Sequence, residues 1–321
     1  MNPYWNCDFF SFLYVFLTRL IEAFQGKLGV DQLFSDELQI AALVLIGISA
    51  ALIGPFLVLK KMTMFANSLS HTSLLGIAVS FLMVSSPSSF NTTLFILAAF
   101  VTALVTGGFT DLLKRVFKVH DEASTGLAFT FLFALGVILV TIFLKNAHLG
   151  VEAIMGNIDA IHLEDVYKSA LCALLNLVVI VTCFPYFKIW AFDEILAKSQ
   201  GCLPGVFAKL LILLTALTTI SAFRAVGVFL FLIFLTAPVL AARLLSVKLR
   251  NIILLACLIS CISSCFGVAL SRHILTVYGV ALSTGALSAT CVALSYPLVY
   301  FFTWAKRAAL SHDLKKQKSS L

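Results

Sequence analysis

Nine long apolar segments run through this chain, at about residues 38–60, 66–84, 92–113, 122–145, 164–187, 206–222, 225–245, 251–270 and 282–304. A helix needs roughly 20 apolar residues to cross a hydrocarbon core of ~30 Å. No water is present there to satisfy backbone N–H and C=O groups, so each segment must form a helix that pairs them internally. The pattern predicts an all-α integral membrane protein, a polytopic helical bundle of about nine spans, with eight to ten as the range. The sixth and seventh segments are joined very tightly around Ala222–Arg224, where a hairpin is expected. An earlier apolar stretch, Phe9 to Phe24, is short and is interrupted by Arg19 and Glu22. It reads as an interfacial helix, with a tenth span as the alternative.

Composition excludes a soluble domain. Hydrophobic residues make up 61% of the chain and charged residues 12%, against about 25% charged in soluble proteins. Mean hydropathy is +1.05. Three regions are expected: an N-terminal extension over 1–37, a transmembrane domain over 38–305, and a basic tail over 306–321. The N-terminus lacks the basic region and small-residue cleavage site of a signal peptide. A net charge of +7 would suit nucleic acid in a soluble protein. Here the basic residues cluster in particular loops, so they set orientation and no nucleic-acid partner is expected. Lys60, Lys61, Lys114, Arg115, Lys118, Lys188, Lys198, Lys209, Arg243, Lys248, Arg250 and five tail residues place sixteen of the 22 basic residues on one side. The positive-inside rule makes that side cytoplasmic, tail included. Glu152, Asp159, Glu164 and Asp165 fall on the other side. The eight cysteines show no C-x-x-C spacing. Cys257, Cys261 and Cys265 repeat at one helix face; small packing residues explain them better than a soft-metal site.

Four places carry candidate chemistry. The first is Asn67-Ser68-Leu69-Ser70-His71 in the second segment. A helix entering the membrane at Lys61 puts His71 roughly 15 Å deep, near mid-membrane. Asn67 lies one turn earlier on the same face. A polar side chain at that depth is costly and marks a site or pathway by default. The plainer alternative is a His that satisfies a neighbouring helix. Imidazole suits zinc, manganese and iron ions, and an amide oxygen is a weaker ligand, so this pair needs help from other helices to hold a metal.

The second place is Phe192-Asp193-Glu194-Ile195-Leu196-Ala197-Lys198-Ser199-Gln200-Gly201. Asp193 and Glu194 suit a helix start and Gly201 a helix stop, which predicts a short cytoplasmic helix. Docking to a soluble partner and a plain solvated turn both remain open. The third place is one connection holding His148, Glu152, Asp159 and His162, which could meet an external cation or serve only as a solvated loop. The fourth is Thr236-Ala237-Pro238, where proline frees a carbonyl and bends the helix. A cavity-facing break and a packing kink both fit. No G-x-x-x-x-G-K-[ST] occurs, so the chain has no phosphate cradle of its own. No H-E-x-x-H occurs either, which argues against an intramembrane metalloprotease.

Several ordered motifs resemble the permease subunits of zinc/manganese/iron ABC importers. They are Gly54-Pro55-Phe56-Leu57-Val58-Leu59-Lys60-Lys61-Met62-Thr63-Met64 with Asn67-x-x-Ser70-His71-x-x-Leu74-x-Gly76; Asp121-Glu122-Ala123-x-x-Gly126-Leu127-Ala128-Phe129; Met155-Gly156-Asn157-Ile158; Phe192-Asp193-x-x-x-Ala197-x-x-x-Gly201; and Ala225-Val226-Gly227-Val228-Phe229-Leu230 through Ala237-Pro238-x-x-x-Ala242-Arg243. The resemblance covers residues 38 to 305. It implies a type II-like ABC importer permease in a bacterial inner membrane. Two permeases, identical or paralogous, would form the pathway above two ABC ATPase subunits, and an external solute-binding protein would deliver the metal. Membrane lipid surrounds the bundle. The permease itself would not be an enzyme, since ATP hydrolysis would belong to the partner ATPase. The resemblance implies no permanently bound cofactor, and a transported ion that would be manganese, zinc or iron. His71, Asn67 and Ser70 would line the metal pathway, and residues 192–201 would form the coupling loop. This chain departs from the family at Asn67, where many members have aspartate, and at Leu75, where many have proline. The rival reading is an ion-coupled secondary transporter. It would need buried carboxylates for the coupling ion, and the spans hold almost none.

Overall fold

The computed structural model describes residues 3–4, 7–25, 27, 33–83, 92–143 and 156–319. All regular structure among them is helical. α1 spans Phe9–Phe24, α2 Ser35–Leu59, α3 Thr63–Met83, α4 Thr92–Val116 and α5 Asp121–Phe143. A 3-10 turn, Ile158–Ala160, precedes α6 at Leu163–Thr182, α7 at Phe184–Phe192 and α8 at Glu194–Ser199. α9 covers Pro204–Leu245, α10 Leu249–Tyr278 and α11 Thr284–Ser319.

α2 is apolar all round, and a helix of that kind belongs in the centre of a bundle. It packs against α6, α9 and α10, and α11 closes on α9 and α10. Ile46, Ala50, Ile53, Phe56 and Leu57 of α2 are buried there with Phe231, Phe234 and Leu235 of α9. α3, α4 and α5 form a second group, joined to the first through α9. Between α3 and α4 the buried hydroxyls of Thr72 and Thr106 lie 2.9 Å apart. Leu104 and Val105 of α4, Ile138 and Ile142 of α5, and Leu171 and Leu174 of α6 point outward. This suits surfaces whose solvent is lipid.

α9 is two helices in one. Gly227 alone leaves helical geometry, at φ 76 and ψ 171, a region open essentially to glycine alone. The two arms double back on each other. Phe207, near the start of the first arm, lies 5.4 Å from Phe187, whose ring lies 5.2 Å from Phe56 of α2. Val239 of the second arm reaches the same level of α2, because a methyl on Gly54 would meet its Cγ2 at 2.8 Å. A straight helix would hold residues 207 and 239 about 48 Å apart. The expected hairpin therefore exists, but its apex is Gly227. Residues 222–224 continue the helix, since only the glycine can take the required dihedral angles.

Six helices among the described residues are long and apolar enough to cross a membrane: α2, parts of α5 and α9 (Glu122–Leu139 and Pro204–Ala222), α6, α10, and α11 over Thr284–Ala308. The count of about nine is not confirmed among the described residues. The second arm of α9 is represented by a shorter apolar helix, Leu230–Leu245. α1, at 16 residues, is not among the six. It lies across the end of α10, with Phe9 5.3 Å from Phe266 and its backbone N–H donating to His273 Nδ1 at 3.3 Å.

Candidate functional site

Thr63 starts α3 two residues after Lys61, which takes the left-handed conformation that ends α2. That tight joint sets the phase of α3, and it turns His71 toward α5. The imidazole packs 5.0 Å from the ring of Phe129 and 5.5 Å from that of Phe133, and the two phenyl rings stack on each other at 5.7 Å. Asn67 sits half-buried one turn below and makes no side-chain hydrogen bond among the described residues. Ser70 belongs to the same helix, and its side chain lies outside the description. The structure thus brings His71 and Asn67 to one helix and adds two aromatic rings that sequence reasoning did not attach to them. The Phe129-x-x-x-Phe133 spacing, one helical turn, was the available signal. Among the described residues no three His, Cys, Asp or Glu side chains converge into a metal cage. The pair is a single imidazole and a single amide, able to touch a passing cation but not to enclose one.

The predicted short helix is α8. Asp193 Oδ1 accepts from the N–H groups of Ile195 and Leu196 at 2.8 and 3.0 Å, an N-cap that satisfies donors at the helix start. At the other end Gly201 sits at φ 77. Its N–H bonds to Lys198 C=O at 3.1 Å, and the next N–H, of Cys202, bonds to Ala197 C=O at 3.0 Å. This is the Schellman arrangement, which favours glycine. Glu194 lies 3.3 Å from Lys198 and 3.9 Å from Lys60 at the end of α2, while Lys60 also rests 4.7 Å over the Trp190 ring. Ala197 is fully buried on the bundle side. Phe192, Ile195 (81% exposed), Leu196 and Leu203 face away from it. An anchored helix with an apolar outer face is an unusual use of surface, and such patches mark interaction sites.

Pro238 lies in the second arm of α9, where α2 approaches so closely that a methyl on Gly54 would sit 2.6 Å from Leu235 O. Thr236 and Leu240, on either side of the proline, line a cavity of about 300 Å³ with Lys61, Thr63, Met64 and Glu122 at the α8 end of the bundle.

At the opposite end lies the proposed four-residue external set. His148 and Glu152 lie outside the described residues. His162 is exposed at the start of α6. Asp159, in the 3-10 turn, lines a second cavity of about 300 Å³ with Asp36, Gln39, Ser271, Arg272 and Thr284. Asp36 there is buried in an ion pair with Arg272. Next to it, Glu37 accepts from Arg19 and, at 2.7 Å, from the hydroxyl of Tyr4. Burial and the Glu37 carboxylate push the Tyr4 phenol above its ordinary pKa. Sequence reasoning did not single out Asp36 and Glu37, which lie just ahead of the first apolar segment. The available signal was Arg272, a charge directly continuing an apolar run.

Comparison with known proteins follows the same lines. The ABC 3 transport family matches residues 37–303. A probable metal transport system membrane protein of Chlamydia trachomatis is 35% identical over 310 residues, covering 97% of this chain and 96% of that protein. The manganese transport system membrane protein MntD of Bacillus subtilis is 34% identical over 244 residues, covering 71% of this chain and 80% of that protein. Among solved structures, PsaBC from Streptococcus pneumoniae in complex with Fab superposes with a TM-score of 0.72 at 24% identity, covering 85% of this chain and 93% of that one. A helical bundle with an anchored short helix at one end, matched from the start of α2 through most of α11, makes this chain a member of the ABC 3 transport family.

Proposed function

We propose that this chain is the membrane-spanning permease of an ATP-driven importer for a divalent transition metal, of the manganese, zinc and iron class. The observation that carries the proposal is α8: a capped, anchored helix at the basic end of the bundle, with its apolar face turned outward. A chain with no phosphate cradle needs such a surface to receive work from a separate ATPase. The charge asymmetry supports a cytoplasmic position for that end and for the C-terminus. The opposite end, with Asp159 and His162, then faces an external binding protein. A second permease, identical or paralogous, completes the pathway.

In this reading ATP-driven movement of the ATPase dimer pushes on residues 192–201. Lys60, bridging Glu194 and Trp190, carries the push into the end of α2. The bundle then alternates between its two ends. The metal passes His71 and Asn67, whose imidazole and amide replace part of its water shell. An amide in place of a carboxylate makes that station weak, which favours release over retention.

The test is metal uptake by proteoliposomes holding the permease with and without the partner ATPase, in wild-type and His71→Ala forms. ATP-dependent uptake that falls at least tenfold in a well-inserted His71→Ala protein is expected. Uptake driven by an ion gradient without the ATPase would overturn the proposal. Wild-type uptake by His71→Ala would remove the histidine from the pathway.

A further inference from the structure

The cavity between the start of α2, the end of α10 and the start of α11 has the makings of a second cation site. Its polar lining is Asp36, Gln39, Asp159, Ser271, Arg272 and Thr284. All the uncharged donors offer oxygen. Ser271 and Thr284 are both buried, with hydroxyls 3.1 Å apart. Gln39 is 6% exposed, yet its amide has no hydrogen-bond partner among the described residues. Gln39 lines this cavity, where a cation would give its amide oxygen a partner. Two carboxylates against one guanidinium leave the lining at a net charge of −1, which selects a cation over an anion.

We propose that this cavity is a receiving site for the transported divalent cation, in which Arg272 acts as a resident counter-charge that the arriving metal displaces from Asp36. This rests on the transport reading above. Asp36 and Asp159 supply carboxylates, and Gln39, Ser271 and Thr284 supply neutral oxygens. Such a set suits manganese and similar hard or borderline ions. With Arg272 on Asp36, the first turn of α2 is tied to the last turns of α10. Metal on Asp36 releases that tie. Binding at this end therefore loosens the contact between the start of α2 and the end of α10.

The experiment is titration of full-length protein in nanodiscs with Mn(II), followed by electron paramagnetic resonance, in a His71→Ala background that removes the intramembrane candidate. One bound Mn(II) is expected to remain. Asp159→Asn, a change on an exposed turn, should weaken it about tenfold. Arg272→Gln should tighten it, on the order of tenfold, because the competing charge is gone. Arg272→Lys should behave as wild type. A purely structural ion pair predicts the opposite sign for Arg272→Gln. Weaker or unchanged affinity in a folded Arg272→Gln protein overturns the inference, as does loss of all bound Mn(II) with His71→Ala alone. Failure of the wild-type complex to import divalent metal would sink the transport reading. Normal import with cavity variants that bind Mn(II) as wild type does would sink only this site.

Discussion

Gly156→Ala should be among the most damaging single-methyl changes in this protein. Gly156 sits at φ 64 just before the 3-10 turn, and a methyl there would lie 2.2 Å from the backbone nitrogen of Gly227 and 2.6 Å from Val226 C. Both obstacles are main chain, at the apex of the α9 hairpin, and neither can rotate away. The left-handed conformation alone costs an alanine about 1–2 kcal/mol. Forcing two backbones apart adds about 1–3 kcal/mol, the usual cost of overpacking. The sum, roughly 2–5 kcal/mol, is a large share of a typical stability of about 5–15 kcal/mol. Gly201→Ala is the internal control. Its φ is 77, but a methyl there meets nothing within 4 Å. It should lose only the conformational part, about 1–2 kcal/mol. The assay is the detergent-solubilised unfolding midpoint of both variants against wild type, in one denaturant series. Gly156→Ala is expected to lose about twice as much as Gly201→Ala. Equal losses would refute the close approach of the two backbones, and with it the placement of the hairpin apex.

Asp193→Ala removes the cap of α8 and should cost about 0.5–2 kcal/mol locally; metal transported per ATP hydrolysed should fall while metal binding persists, and an unchanged ratio would reduce the helix to a connector. Asn67→Asp puts a stronger hard ligand beneath His71, so metal occupancy measured by equilibrium dialysis should rise and release should slow; unchanged affinity would mean that Asn67 does not face the ion. Orientation is open to single cysteines in a background without accessible thiols: Asn157→Cys should react with a membrane-impermeant reagent from outside and Ser199→Cys should not. The reverse labelling would place α8 on the wrong side for ATP.

Local chemistry was readable wherever a few neighbouring residues decide the outcome. Asp193 and Gly201 bound α8 because capping depends on side chains within one turn of the helix end. The apolar runs announced helices because the bilayer leaves the backbone no other partner. The hairpin in 204–245 followed from too much apolar chain for one crossing, yet its apex was misplaced by several residues, since helix propensity does not mark a turn made by one glycine. What only the tertiary structure decided is who meets whom. Nothing in the sequence neighbourhood of His71 names Phe129 and Phe133, or tells Asp36 that its partner lies 236 residues away at Arg272. Hydrophobic burial sets which face of a helix turns inward but is indifferent to which helix it turns toward. That choice belongs to the packing of particular shapes: Gly54 letting α2 reach α9, and Gly156 admitting the bend at Gly227. Contacts of this kind form only once the whole bundle has closed.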